Sequence, residues 1–158
     1  MLSNMAEIKH YIIFLIGGKR MALPLNKVAR IARAVTVTPL PDAPELVIGV
    51  INMQGDVIPV VDIRERFNIP VTPLILEDHF IIGRTNSRLI AILVNEVLDI
   101  VDLNEKDISN QKDILPGISN IEGVIKLKEN IVLIQDLDKL LSLDDFEHID
   151  QSLETEKV

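Results

Sequence analysis

The sequence repeats itself, and this repeat constrains the fold more than any other feature. Shifted by 69 positions, residues 11–32 align without a gap with residues 80–101, and six aligned positions are identical, among them Ile12 with Ile81 and Ala22 with Ala91. Shifted by 74 positions, residues 49–67 align with residues 123–141. Two similar halves predict two similar units related by a pseudo-twofold axis.

Each half has the pattern of short strands separated by turns. Aromatic residues make up only 3% of the chain, so the core must be built from Ile, Leu and Val, which favour strands. Gly17-Gly18 is typical of a two-residue hairpin turn, and Asn86-Ser87 is a weaker version at the equivalent place. Gln54-Gly55-Asp56 and Lys128-Glu129-Asn130 occupy the corresponding turns of the next hairpins. The pattern predicts an all-β fold of two small barrels, with an apolar face and a cleft between them.

Polar residues at strand ends are interpreted as caps of short helical turns. Asn26 and Asn95 each precede one such turn, and Asp62 and Asp136 each follow a hairpin and precede a segment with helical spacing. Pro59 lacks an N–H group, so its strand is expected at a sheet edge or at a bulge.

The repeat also suggests how the chain is divided. We expect a single domain over residues 1–158, with barrel subdomains over about 22–80 and 80–141. Residues 142–158 form an acidic tail, in which six acidic residues oppose Lys157. Leu141, Asp145 and Ile149 share one face of a helix there, and their mixed character predicts a fraying helix rather than a core element.

Charge and composition exclude several classes of function. The net charge of −8 argues against nucleic-acid binding, which requires clustered Lys and Arg. The absence of Cys excludes disulfides and thiolate metal sites, and fits a cytoplasmic protein. The apolar run from Tyr11 to Ile16 is too short to cross a bilayer, so no direct membrane insertion is expected.

The sequence carries no catalytic, cofactor-binding or metal-binding motif with diagnostic spacing. His10, His79 and His148 are isolated, and none has a ligand at a metal-site interval. Asp62 and Asp136, which the repeat relates, leave one alternative: a small-barrel enzyme or small-ligand binder that uses both carboxylates in the cleft between the barrels. The other interpretation is that each carboxylate caps its own turn.

The ordered motifs resemble the CheW-type chemotaxis coupling family. They are "YIIFLIGGKRMALPLNKVARI", "VTPLPDAPELVIGVINMQGDVIPVVDIRERF", "LIAILVNEVLDIV" and "LIQDLDKLL", and they extend from about Tyr11 to Leu141. The resemblance implies two five-stranded SH3-like barrels with short helical turns and a C-terminal helix or tail. It also implies a non-enzymatic adaptor without a cofactor, which joins the cytoplasmic tips of chemoreceptors to the regulatory domain of a CheA-type histidine kinase in membrane receptor arrays.

The resemblance further implies a receptor-binding groove, whose residues here are Val28, Arg30, Gly49, Gln54 and Ile100. Two of these positions depart from the usual family pattern. Gln54 replaces an Arg, and Arg30 replaces a residue that is acidic in many members, so an ion pair across the groove is lost at both ends. The chain is therefore expected to be a divergent coupling protein, for chemotaxis or another chemosensory pathway.

Overall fold

The computed structural model describes residues 7–110, 121–127 and 130–156. Two sheets form the body of the molecule. Their strands are β1 (Ile8–Ile16), β2 (Lys19–Pro24), β3 (Val28–Arg33), β4 (Val47–Met53), β5 (Asp56–Val61), β6 (His79–Arg84), β7 (Leu89–Val94), β8 (Glu96–Asn104), β9 (Ile108–Asn110), β10 (Ile121–Leu127) and β11 (Asn130–Gln135). Short 3-10 helices cover Leu25–Lys27, Arg64–Phe67 and Glu105–Asp107, and α-helices cover Leu137–Leu140 and Leu143–Glu156.

The two halves of the chain exchange strands. The first barrel has the order β8-β1-β2-β11-β10-β9, and the second has the order β3-β6-β7-β5-β4. Each barrel therefore combines the opening hairpin of one half with the later strands of the other. The parallel pairs obey the repeat, since Ile134 lies opposite Ala22 and Val60 lies opposite Ala91. The two-barrel fold is confirmed, but the strands of the second barrel span residues 28–94, which differs from a division near residues 22 and 80.

Each barrel is closed by a bent stretch of chain. In the second barrel the chain leaves β3 and reaches β4, where Thr38 and Val50 exchange both backbone hydrogen bonds, at 2.9 and 2.8 Å. In the first barrel, β8 continues through the 3-10 helix Glu105–Asp107 into β9, which pairs with β10. These closures leave few open sheet edges.

Alternation along the strands divides the core into three parts. Tyr11 and Ile13 of β1 point into the first barrel, where they pack with strands β10 and β11. Phe80 and Ile82 of β6 fill the second barrel. The intervening residues of β1, β2, β6 and β7 form the largest cluster, which lies between the barrels and contains Ile12, Phe14, Ile16, Met21, Leu23, Ile81, Ile90, Ile92 and Val94. The expected apolar face is confirmed, and side chains fill it at its centre.

The two hairpin turns of the first half are tighter than the turn between β6 and β7 in the second half. Gly17 and Gly18 have φ of 55° and 81°, and Gln54 and Gly55 have φ of 54° and 92°. Positive φ at both central residues matches the twist of the flanking strands. The β6–β7 connection is instead a four-residue loop, which the Thr85 hydroxyl organises by accepting from the backbone N of Arg88 at 3.0 Å. The turn at 128–129 lies outside the described residues.

The predicted Asn caps were wrong. Asn26 lies inside the 3-10 helix Leu25–Lys27, whose first turn has no side-chain cap. Asn95 instead joins the barrels: its Oδ1 accepts from the backbone N of Gly17 at 2.6 Å, and its Nδ2 donates to Asp78 at 3.3 Å. The expectation that Pro59 lies at a sheet edge or a bulge was wrong, because β5 is an interior strand. Pro59 lies opposite Val50, and β5 begins pairing with β7 at the next residue.

The C-terminal helix is a core element, which corrects the expectation of a frayed acidic tail. Phe146, Ile149 and Leu153 are 7%, 0% and 8% exposed and join the cluster between the barrels. Asp144, Glu147 and Asp150 lie on the exposed side of the helix, so the acidic residues mark its solvent face. Within the described ranges, no helix combines the length and apolar character needed to cross a bilayer.

Candidate functional site

The residues expected to bind a receptor lie on three different elements. Val28 and Arg30 are on β3, at one end of the strand order of the second barrel. Val28 is half-buried against the cluster between the barrels, and its carbonyl accepts from Arg84 Nη1 at 3.1 Å. Arg30 is exposed opposite Ile82 of β6. Val28 therefore serves packing, whereas Arg30 is available to a partner.

Gly49 and Gln54 belong to the hairpin formed by β4 and β5. Gly49 is buried with a φ of 153°, and a Cβ there would lie 2.3 Å from the carbonyl oxygen of Thr38. It permits the close approach that closes the second barrel, so its role in this structure is steric. Gln54 is exposed at the tip of the hairpin.

Ile100 belongs to the other barrel. It lies on β8 opposite Ile12 and is 52% exposed. Among the described residues, no hydrogen bond links Arg30 to Gln54, in keeping with the two substitutions at these positions. The candidate face thus has exposed groups from both barrels, with Arg30 and Gln54 on one and Ile100 on the other.

The alternative built on paired carboxylates finds each carboxylate engaged by its own neighbours. Asp62 is 8% exposed and forms a two-pronged ion pair with Arg64, whose Nε and Nη2 donate at 2.9 and 2.7 Å. Asp62 Oδ1 also accepts from the backbone N of Arg64 at 3.1 Å. The Asp62 carboxylate is thus a structural anion, and its hydrogen bond raises the pKa of the Arg64 guanidinium.

Asp136 is the predicted cap. It precedes the helix Leu137–Leu140 and accepts from the backbone N of Asp138 at 3.1 Å. In the part of the chain that the structure describes, no three His, Cys, Asp or Glu side chains are grouped as metal ligands. The arrangement supports packing and capping roles for both aspartates rather than acid–base chemistry.

Sequence reasoning missed the polar residues that tie loops together. Arg64 also donates to the side chain and carbonyl of Thr72, at 2.9 and 3.2 Å, and so anchors the loop between β5 and β6. Asp138 accepts from the backbone N of Asn86 at 2.6 Å and from Lys27 Nζ at 3.4 Å, across the barrel boundary. The sequence signal was the alternation of charge in "DIRER" and "DLDK". This pattern does not predict which distant residue each charged side chain contacts.

Known proteins match this chain over nearly its whole length. The family model for the CheW-like domain matches residues 10–145. The chain is 31% identical to the chemotaxis protein CheW of Bacillus subtilis over 144 residues, which cover 86% of this chain and 90% of that protein. It is 28% identical to the CheW of Rhizobium meliloti over 134 residues, covering 84% and 86% of the two chains.

A solved structure has the same fold. The crystal structure of the scaffolding protein TtCheW from Thermoanaerobacter tengcongensis superposes with a TM-score of 0.77 at 22% identity, and the match covers 90% of this chain and 93% of that one. The family model, the sequence matches and the shared fold all point to the same family. This chain belongs to the CheW-like domain family.

Proposed function

We propose that this protein is a chemotaxis coupling adaptor that joins chemoreceptors to a CheA-type histidine kinase in the cytoplasm, at membrane receptor arrays. The observation that carries the proposal is the family match over residues 10–145, which spans both barrels. Proteins of similar length and named chemotaxis protein CheW cover the same region. The proposed action is binding without catalysis, through surfaces rather than through a pocket for a substrate.

We propose that the receptor contacts the face marked by Arg30, Gln54 and Ile100, with Val28 and Gly49 supporting it from below. Exposure supports this assignment, because Arg30 and Gln54 are polar groups on the surface and Ile100 is an apolar side chain left 52% exposed. Exposed polar groups together with an exposed apolar side chain are typical of the composition of a modest interface.

We propose that the kinase regulatory domain contacts the loop between β5 and β6. Val71, Ile75 and Leu76 of this loop are 55%, 54% and 78% exposed. The loop is held at both ends, by the Arg64 hydrogen bonds to Thr72 and by Asp78 Oδ2, which accepts from the backbone N of Ile75 at 3.0 Å. An anchored loop loses less conformational entropy on binding.

Calorimetric titration of the full chain tests both contacts. The partners are a receptor-tip fragment and the regulatory domain of a histidine kinase from the same genome, and we expect saturable micromolar binding to each. Ile100→Asp is expected to weaken receptor binding about tenfold, or about 1.4 kcal/mol, which exceeds the effect of most interface residues. Ile131→Asp is the matched control, because Ile131 is a strand residue that is 63% exposed.

Leu76→Asp is expected to weaken kinase binding by a similar factor and to leave receptor binding unchanged. Equal losses for Ile100→Asp and Ile131→Asp would remove the receptor face from the proposal. An absence of binding to either partner would refute the adaptor function itself.

The departures at Arg30 and Gln54 are tested separately. The double variant Arg30→Glu with Gln54→Arg places at these two positions the charges that the family resemblance implies, which can pair across the groove. We expect it to change the preference among receptor-tip fragments, because charge complementarity sets specificity more than affinity. Unchanged binding to every fragment would exclude these two positions from the interface.

A further inference from the structure

A pocket on the first barrel contains none of the residues assigned to the receptor face or to the kinase contact. It has a volume of about 530 Å³ and is lined by residues 7–11, residues 24–27 and Glu122 of β10. Its apolar walls are Ile8, which is 60% exposed, and the half-buried Pro24 and Leu25. The walls therefore offer apolar surface to an aliphatic chain without any change in the core.

The two lysines that line this pocket already have carboxylate partners. Lys9 Nζ lies 3.6 Å from Glu105 Oε1, and Lys27 Nζ lies 3.4 Å from Asp138 Oδ2. Neither Glu105 nor Asp138 belongs to the lining. The positive charge of each lysine is thus offset from outside the pocket.

Two carboxylates inside the pocket lack such a partner. Glu7 and Glu122 both line it and are exposed, and among the described residues neither forms an ion pair or a hydrogen bond. His10, the remaining basic residue of the lining, contacts Asp102 instead. The pocket therefore carries negative charge that the described part of the chain leaves without a counter-ion, and this charge favours a cationic occupant over an anionic one.

The pKa of Glu122 supports this charge balance. Desolvation and the Asp136 carboxylate raise the pKa, and three nearby lysines lower it without reversing the shift. A carboxylate in contact with a cation normally has a lowered pKa. The Glu122 carboxylate thus behaves as a group whose counter-ion is missing.

We propose that this pocket binds an arginine side chain of a partner protein. The guanidinium pairs with the exposed Glu122 carboxylate, whose two oxygens match two parallel N–H donors, and the aliphatic stem packs on Ile8 and Leu25. A guanidinium is more weakly hydrated than an ammonium, so arginine loses less than lysine on entering a partly apolar pocket. Asn26 also lines the pocket, is exposed and has no hydrogen bond among the described residues, so its amide is available to a peptide group of the partner.

The test is a nuclear magnetic resonance titration of the full chain at constant ionic strength. The probes are N-acetyl-Arg-amide and N-acetyl-citrulline-amide, which have the same shape and differ in charge. We expect the Arg probe to produce saturable shifts at the amides of Ile8, Leu25, Asn26 and Glu122. The citrulline probe is expected to bind at least about fivefold more weakly, because a hydrogen bond between charged groups is stronger than one from a neutral donor. Equal binding of the two probes would overturn the proposal.

Variants identify the carboxylate. Glu122→Gln is expected to weaken binding of the Arg probe about tenfold, and it removes a charge that no described cation pairs with, so the chain is expected to fold. Glu96→Gln is the matched control, because Glu96 is an exposed strand residue opposite Leu15, at the other end of β1 from Ile8. Full binding by Glu122→Gln would overturn the proposal. An equal loss for Glu96→Gln would also overturn it, since the probe would then respond only to the net charge of −8.

A third variant distinguishes this site from an anion site built on the lysines. Lys9→Gln removes a positive charge from the lining and leaves Glu105 without its cation, so we expect it to strengthen binding of the Arg probe about twofold. N-acetyl-Glu-amide is expected to produce no saturable shifts. Weaker binding of the Arg probe by Lys9→Gln, or saturable binding of the Glu probe at the same amides, would contradict the proposal.

A probe without peptide groups tests whether the occupant is a protein side chain. Butylguanidine has the same cation and a similar stem, and it is expected to bind at least about threefold more weakly than the Arg probe, because it cannot pair with the Asn26 amide. Equal or tighter binding of butylguanidine would show that the pocket accepts free cations, and the assignment to a partner protein would fail.

Discussion

The segments that follow β5 and β11 occupy equivalent places in the two barrels, but their polar side chains contact different parts of the molecule. Both begin with an aspartate, Asp62 in one and Asp136 in the other. Asp62 is buried against Arg64, and that arginine holds a loop of its own barrel through Thr72. Asp136 caps a short helix, whose Asp138 reaches the β6–β7 loop of the other barrel.

The difference shows what the repeat preserves. Under the 74-residue shift, Arg64 corresponds to Asp138, so the charge is reversed where the backbone position is equivalent. The strands and the aspartates are kept because they build each barrel. The residue two positions later is free to differ, and it determines whether the segment is tied within its own barrel or across the boundary. The second barrel gains an anchored exposed loop, and the first gains a helix that docks on its neighbour.

The largest expected effect is at the buried ion pair. Arg64→Ala leaves the Asp62 carboxylate buried without its cation, which is expected to cost about 3–5 kcal/mol of unfolding free energy. Urea unfolding at neutral pH measures this value. Asp136→Ala removes only a cap and is expected to cost about 1 kcal/mol. Equal costs would mean that the two segments are energetically alike, and the distinction drawn between them would fail.

A second effect concerns the C-terminal helix, which only the second half of the chain possesses at its end. Ile149 is fully buried between the barrels, so Ile149→Ala is expected to cost about 2–4 kcal/mol. Glu147→Ala, on the exposed side of the same helix, is expected to change stability by less than about 0.5 kcal/mol. Thermal and urea unfolding of the two variants compare the faces. A small loss for Ile149→Ala would return the helix to the status of a solvated tail.

The strands were predictable from the sequence, because their apolar residues alternate and their turns carry Gly17-Gly18 and Gln54-Gly55. The exchange of strands was not. A hairpin followed by further strands has the same pattern whether the third strand pairs with its own hairpin or with that of the other half. That choice depends on the short connections at Leu25–Lys27 and Asn95, whose tertiary contacts leave no local signature.

The C-terminal helix was misinterpreted from the sequence, whereas the exposure of the candidate face was predicted correctly. Phe146, Ile149 and Leu153 have helical spacing, but the surrounding acidic residues favoured the interpretation as a tail. Exposure of Arg30 and Gln54 was expected from their polarity within apolar stretches, and both are exposed. Ion pairs such as Arg64 with Asp62 depend on rotamers that a sequence pattern does not specify.

The tight turn of the first hairpin sharpens the comparison between the halves. Gly17 has a φ of 55°, and a Cβ there would lie 2.2 Å from Ile69 Cγ2, whereas Gly18 has a φ of 81° and open space around it. Gly17→Ala is expected to cost about 2–3 kcal/mol through backbone strain and overpacking, and Gly18→Ala about 1 kcal/mol through strain alone. Unfolding of both variants by urea tests this. Equal costs would show that contact with Ile69 does not constrain the turn.

The smallest expected effect is electrostatic and lies at Glu122, which takes the place of Ile48 in the other hairpin. Desolvation by the surrounding chain and the nearby Asp136 carboxylate raise the pKa of Glu122, and Lys9, Lys27 and Lys139 oppose them. The folded chain therefore binds this proton more tightly than the unfolded chain. Stability is expected to fall as pH rises from about 4.3, the usual pKa of Glu, through the raised pKa of the folded state.

Glu122→Gln is not expected to show this loss of stability as pH rises. Relative to the parent chain, its unfolding free energy is expected to improve between pH 4 and pH 7 by a few tenths of a kcal/mol, about the size of exposed charge interactions, because Glu122 remains exposed. Parallel urea titrations at the two pH values measure the change, and high salt is expected to reduce it. A constant difference between variant and parent would mean that folding does not raise the pKa of Glu122, and that burial and the Asp136 carboxylate together have no net effect on this side chain.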